Sequence, residues 1–288
     1  CRVVGEGVNL GFTQRARIEF AISGGHSFTD AIDNAAGVNC SDLEVNIKIL
    51  LDELVSKGDL TVKQRNVWLV SMTDEVAQIV LANNYRQAQS ISLSYLENFK
   101  RIEEFRRLII DLEEKGKLNR ALEFIPTDDV LNEYKSAQRG LTRPTISVML
   151  SYAKNELKEA LANEKVADDP YLLREAEKIF PASLVKQYQK EVHQHPLVTE
   201  IVATQVSNDL FNSMGPTFAH RIMASAGCSF LDVSKAWVAA RDIFSMGETL
   251  QAIEALDNVV TTDVQSILIE RLKRMVRHAT RWLVRKHR

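Results

Sequence analysis

Apolar residues recur at three- and four-residue spacing along most of the chain, with polar residues between them, which is the period of amphipathic helices. From about Thr61 onward the pattern is almost unbroken. Thr61-Val62-Lys63-Gln64 has the form of a capping box ahead of Val67, Trp68 and Val70, and Thr73-Asp74-Glu75 opens a second helix through Val76, Ile79 and Val80. The spacing predicts a long helix from about Ser92 to Lys115, with Leu96, Phe99, Ile102, Phe105, Leu108 and Ile109 on one face and Gly116 as its stop. Pro144 and Pro170 suit first-turn positions, Asp169 is a candidate N-cap, and Pro181 is expected to end the helix that Pro170 begins. Gly215 and Gly227 close apolar-periodic stretches, giving helices near 196–214 and 217–226, followed by 230–244, 247–257 and 262–285. Short connections suit antiparallel neighbours in a bundle.

The first part of the chain reads differently. Six of the twelve glycines (Gly5, Gly7, Gly11, Gly24, Gly25, Gly37) fall in the first 37 residues, whereas all six prolines lie between Pro126 and Pro216. Clustered glycines mark tight turns and close backbone approach to ligands. The expected fold is therefore mainly α: a short α/β remnant of a dinucleotide-binding domain over residues 1–58, then an all-α multi-helix domain over 59–288. Cys1 in place of Met, and Val3-Val4 leading straight into glycines, give the expectation of a piece of a longer polypeptide.

Composition narrows the classes. The 288 residues are 45% hydrophobic and 26% charged, enough to bury a core and incompatible with disorder. Lys+Arg of 36 against Asp+Glu of 38 gives a net charge of −2, so the overall balance points to no nucleic-acid partner. No apolar run approaches the ~18 residues of a membrane span, and no signal peptide is visible, so a cytoplasmic location is expected. Cys1, Cys40 and Cys228 are too few and too widely spaced for a disulfide framework or a metal clip.

Two segments could carry chemistry. Gly5-Glu6-Gly7-Val8-Asn9-Leu10-Gly11 follows a short apolar strand, where missing side chains let backbone N–H groups approach a phosphate or nicotinamide. It reads GxGxxxG rather than GxGxxG, so it serves equally as a strand-to-helix turn. Asn34-Ala35-Ala36-Gly37-Val38 leads to Ser41-Asp42-Leu43-Glu44, where Ser41 and Glu44 form a candidate capping box. The serine at such a helix start would also suit a carboxylate ligand.

Together these segments resemble glutamate dehydrogenase. Glu6-Gly7-Val8-Asn9 is similar to the family's Glu-Gly-Ala-Asn turn, and Asn34-Ala35-Ala36-Gly37-Val38 with Ser41 is similar to its Asn-Ala-Gly-Gly-Val-x-x-Ser segment. Val4 through Gln14, Thr29 through Asn34, His195-Pro196, Glu200 through Thr204 and Ile253 through Asp257 resemble the large bacterial NAD-specific subfamily more closely. The resemblance implies NAD as cofactor, bordered by Gly7, Asn9 and Asn34. It implies L-glutamate and 2-oxoglutarate as substrates, with Gly37 and Val38 lining the pocket and Ser41 holding the side-chain carboxylate. The family's catalytic lysine and aspartate have no counterpart here and are expected upstream in the same polypeptide, so the piece alone is expected to be inactive. A homo-oligomer is expected.

Other features have plainer readings. His193 and His195 stand two apart and do not share a helix face, so no metal site is expected. From Glu270 to Arg288 eight cationic residues face one acid, but Leu268, Leu272, Met275, Val276, Ala279 and Leu283 form an apolar stripe that predicts a packed helix. The competing account of the whole chain is a helical assembly module without cofactor binding.

Overall fold

Start and stop signals place the helices. The structure, a computed structural model, describes residues 1–286. Its helices are α1 (Gln14–Ile22), α2 (Asp30–Asp33), α3 (Ala35–Lys57), α4 (Val62–Ser71), α5 (Thr73–Glu97), α6 (Ile102–Glu114), α7 (Asp128–Ser136) and α8 (Arg143–Asn163). They continue as α9 (Pro170–Leu173), α10 (Ala182–His193), α11 (Val198–Met214), α12 (Phe218–Ala226), α13 (Phe230–Ile243), α14 (Met246–Glu254) and α15 (Thr262–Lys286). The capping box at Thr61 and Gln64 forms as the sequence requires, and Asp169 accepts from the Tyr171 and Leu172 N–H groups. Gly116, Gly215 and Gly227 take the positive φ values that stop α6, α11 and α12.

In two places the periodicity misleads. The continuous helix over Ser92–Lys115 is broken between Glu97 and Ile102. Asn98, buried there, accepts a hydrogen bond from the Leu141 N–H and donates at 3.2 Å to the Leu141 carbonyl, so a distant loop docks where the helix would continue. The helix expected to run from Pro170 to Pro181 is one turn of α-helix followed by a 3₁₀ segment over Arg174–Ile179.

Among the described residues the only β-pairing is a parallel bridge between Val3 and His26, closed by Val4 N–H to His26 O at 2.9 Å and His26 N–H to Arg2 O at 2.8 Å. The rest of the described architecture is helical.

The core is continuous from Ile32 to Val284. At its centre α8 lies against α11, and Met149, Leu150, Ala153 and Leu157 of the first and Val202, Val206, Leu210 and Phe211 of the second are all 0% exposed. On one side α5 packs on both and carries α3; α13 also packs on both and carries α15. The apolar stripe of α15 is buried at Leu272, Val276 and Val284, while Arg271, Arg274, Arg281 and Arg285 are exposed. Lys273 falls within the buried side and is held by Glu270 at 2.7 Å. Arg288 lies outside the described residues.

Candidate functional site

The glycine-bearing loop is held in place by acids. Arg17 of α1 grips Glu6 with Nε to Oε1 at 2.6 Å and Nη2 to Oε2 at 2.8 Å. Three backbone N–H groups of the loop are then capped: Glu6 on Asp33 Oδ2 at 2.9 Å, Leu10 on Asp30 Oδ2 at 2.9 Å, and Phe12 on Glu6 Oε2 at 3.0 Å. Hydrogen bonding from Arg17 holds the Glu6 carboxyl below its ordinary range in spite of burial. Leu10 is fixed at φ 58°. A Cβ added to Gly5 or Gly7 would meet no atom within 4 Å, so the chain itself gives no steric reason for glycine at either position.

Asn34 joins this loop to α3. It ends α2, begins α3, and its Nδ2 donates to Asn9 Oδ1 at 3.2 Å. A Cβ on Gly37 would lie 3.1 Å from Asn34 Oδ1. The expected capping box at Ser41 does not form. The helix starts at Ala35, two turns earlier than that reading requires, so Ser41 stands inside α3 and Glu44 pairs with Lys48. The cause is Asn34, whose backbone already turns from α2 into α3. Ser41 therefore has no free helix N-terminus behind it; its hydroxyl is exposed one turn beyond Gly37 on the same face.

A cleft of about 840 Å³ opens beside this junction. Asn9, Asn34, Gly37 and Val38 line one wall of it. The facing wall comes from α5, α8 and α11, with Asn84, Gln87, Lys154, Lys158 and Asn212. Gly7 and Ser41 lie outside the lining. The facing wall was not singled out in the sequence, although a signal exists: Asn84 and Gln87, and Asn208 and Asn212, repeat at helical spacing on two otherwise core-forming helices.

Outside the cleft, the histidines of the His193-x-His195 pair have partners within the protein. His193 meets Glu177 at 2.7 Å, and the buried His195 meets the Asn46 carbonyl at 3.1 Å, so the two histidines diverge. Among the described residues one group of metal-ligand type exists, Asp111, Glu156 and His220. Lys115 donates to both carboxylates, at 2.6 and 2.7 Å, and so supplies the cation of that cluster itself. Hydrogen bonds from His220 and Lys115 lower the pKa of Glu156 to about 2 against the opposing effect of burial.

The fold and the cleft together define a mostly helical protein in which a glycine-bearing loop, stapled to a helix start, borders a polar cleft shared with the helical bundle. The family described as glutamate dehydrogenase, C-terminal, matches residues 138–288, and bacterial NAD-glutamate dehydrogenase, catalytic domain, matches residues 1–94. The chain belongs to the glutamate dehydrogenase family, as a C-terminal portion. It is 51% identical over 287 residues to the NAD-specific glutamate dehydrogenase of Pseudomonas aeruginosa, covering 100% of this chain and 18% of that protein. The corresponding figures are 50% over 285 residues for the NAD-specific glutamate dehydrogenase of Halomonas elongata, 99% and 18% covered, and 37% over 283 residues for that of Mycobacterium tuberculosis, 98% and 17% covered. The chain thus spans under a fifth of the length of these relatives. No helix among the described residues is long and apolar enough to cross a membrane.

Proposed function

We propose that the chain is the C-terminal part of an NAD-dependent glutamate dehydrogenase that converts L-glutamate to 2-oxoglutarate and ammonia. In this reading residues 1–58 end the dinucleotide-binding domain as its α/β remnant, and residues 59–288 are the helical region. The match to the catalytic domain continues through α4 and most of α5 to residue 94. The observation that carries the reading is convergence: Asn9 and Asn34, assigned to the cofactor, and Gly37 and Val38, assigned to the substrate, come from separate segments and border one cleft.

The residues present fit such a ligand. Open space where a Gly7 Cβ would stand leaves room for close approach, and the paired amides of Asn9 and Asn34 offer the donors and acceptors that a carboxamide needs. Bound NAD would supply the hydride acceptor for the substrate Cα. The chain's own part is alignment and exclusion of water. Asn9 and Asn34 orient the nicotinamide end, Gly7 lets the backbone come near it, Gly37 and Val38 shape the substrate pocket, and Ser41 donates to the glutamate side-chain carboxylate. The catalytic lysine and aspartate of the family have no counterpart in this chain, so turnover needs the upstream polypeptide. We place the full-length protein in the cytoplasm as a homo-oligomer.

The test is an assay of the full-length polypeptide for glutamate-dependent reduction of NAD, with Asn34→Ala as the comparison. Activity in the wild type, with a raised KM for NAD in the variant, supports the reading. Absence of NAD-dependent glutamate oxidation in the wild type overturns it.

A further inference from the structure

The facing wall of the cleft holds a cation that has no counter-ion. Lys154 projects from α8 and its Nζ donates to the neutral Gln87 Oε1 at 2.5 Å. Lys158, one turn along the same helix, lines the cleft as well, and among the described residues neither lysine forms an ion pair. Two acids share the cleft, but both are engaged elsewhere. Asp30 is held by Arg17 at 3.1 Å and by the Leu10 and Ala31 N–H groups, and Asp42 accepts from Asn46. On α11, in the same wall, stands Asn212, 7% exposed, whose Oδ1 is buried without a hydrogen-bond partner.

Each observation describes part of a missing ligand. A desolvated ammonium beside a neutral amide gains most from an anion that brings its own charge. An orphaned buried acceptor calls for an N–H or O–H donor. We infer that the cleft is a binding site for an amino dicarboxylic acid, in which Lys154 of the helical region is the counter-ion of a carboxylate and Asn212 accepts from the amino group. The choice of an amino dicarboxylate as ligand rests on the function proposed above; the demand for a carboxylate rests on the cleft alone. With no carboxylate at hand, withdrawal from solvent lowers the Lys154 pKa to about 7, so an arriving carboxylate also restores the full charge. The helical region thereby becomes a wall of the substrate or effector site rather than a remote appendage.

The experiment measures calorimetric binding of glutarate, a dicarboxylate that cannot react, and of L-glutamate to the full-length polypeptide. Lys154→Met, Lys154→Arg and Asn212→Leu are compared with the wild type, each with its melting temperature. Lys154→Met should weaken glutarate about 10-fold or more, the effect of losing one hydrogen-bonded charge, with Lys154→Arg restoring part of it and no fall in melting temperature. Asn212→Leu should reduce the preference for L-glutamate over glutarate. If Lys154→Met also raises the KM for glutamate while that for NAD is unchanged, the carboxylate belongs to the substrate; an unchanged KM assigns it to a separate effector. Undiminished glutarate binding in Lys154→Met, or no glutarate binding by the wild type, overturns the inference. An enzyme that fails to oxidise glutamate but loses glutarate with Lys154 overturns the proposed function and leaves the carboxylate site standing.

Discussion

Arg17 and Glu6 form a two-pronged ion pair in which both residues are less than 5% exposed, and this pair is what shapes the glycine-bearing loop. A guanidinium fork matches a carboxylate in plane, and the same carboxylate has lone pairs left to accept the Phe12 N–H. The loop that carries Asn9 to Asn34 therefore depends on one arginine of α1.

Removing that arginine should be costly. Breaking one side of a buried pair leaves an uncompensated charge, and Arg17→Met is expected to cost about 3–5 kcal/mol. The loss should appear as fast hydrogen exchange at the Leu10 and Phe12 amides, with the α8–α11 core protected as before. Combining Arg17→Met with Glu6→Gln should recover part of the loss, because the stranded charge is gone.

Acid should loosen the α6–α8–α12 contact. Glu156 has its pKa lowered to about 2 in the folded protein from an ordinary value near 4.5. A depressed carboxyl contributes its stability above the unfolded value and loses it as pH falls through the folded one. The window is thus about pH 4.5 down to 2, and the stake is on the order of 3 kcal/mol. Chemical denaturation across that range should show the decline, and Glu156→Gln should flatten it.

Much of the helical order is legible locally, because caps and stops act within one turn. Thr61 with Gln64, Asp169 before Pro170, and Gly116, Gly215 and Gly227 all do in the structure what their residue types dictate. What the sequence hides is long-range. The α5–α6 break is specified by Asn98 reaching Leu141, 43 positions away, while Leu96 and Phe99, placed by periodicity on the buried face, are 47% and 38% exposed. Ser41 illustrates the reverse error: S-x-x-E has the form of a cap, yet the turn at Asn34 starts the helix earlier. Of the residues that line the cleft, the resemblance singles out Asn9, Asn34, Gly37 and Val38; Lys154 and its neighbours carry no such mark, because they come from three separate helices.

The Asn98 junction gives its own prediction. Asn98→Ala strands the buried Leu141 N–H and carbonyl and is expected to cost about 1–3 kcal/mol. Gly140→Ala should also destabilise, since a Cβ there would fall 1.8 Å from Asn98 Oδ1, far inside contact distance. Urea unfolding of the two variants measures both effects.

For α15, the buried stripe and the exposed cations should separate cleanly. Leu272→Asp places an unpaired charge at a site 6% exposed and is expected to lose more than about 3 kcal/mol, with unfolding or aggregation. Arg281→Gln with Arg285→Gln, both exposed, should stay within about 0.5 kcal/mol of the parent. Tight, salt-sensitive DNA or RNA binding by the parent would show instead that the cationic face is the working surface.

Ser41 bears most directly on the proposal that this chain supplies the substrate end of a glutamate dehydrogenase. The residue is exposed inside α3 and caps nothing, so Ser41→Ala should leave stability unchanged or raise it by a few tenths of a kcal/mol through helix propensity. If its hydroxyl donates to the glutamate side-chain carboxylate, the substitution removes about 1.5–3 kcal/mol of binding, a fall of roughly 10- to 150-fold in kcat/KM for glutamate. The loss should lie mainly in KM for glutamate, because the contact is remote from the reacting Cα, and KM for NAD should not move. The decisive measurement is the steady-state kinetics of full-length Ser41→Ala: a 10-fold or greater fall in kcat/KM for glutamate at unchanged melting temperature is predicted, and wild-type kinetics would contradict the account.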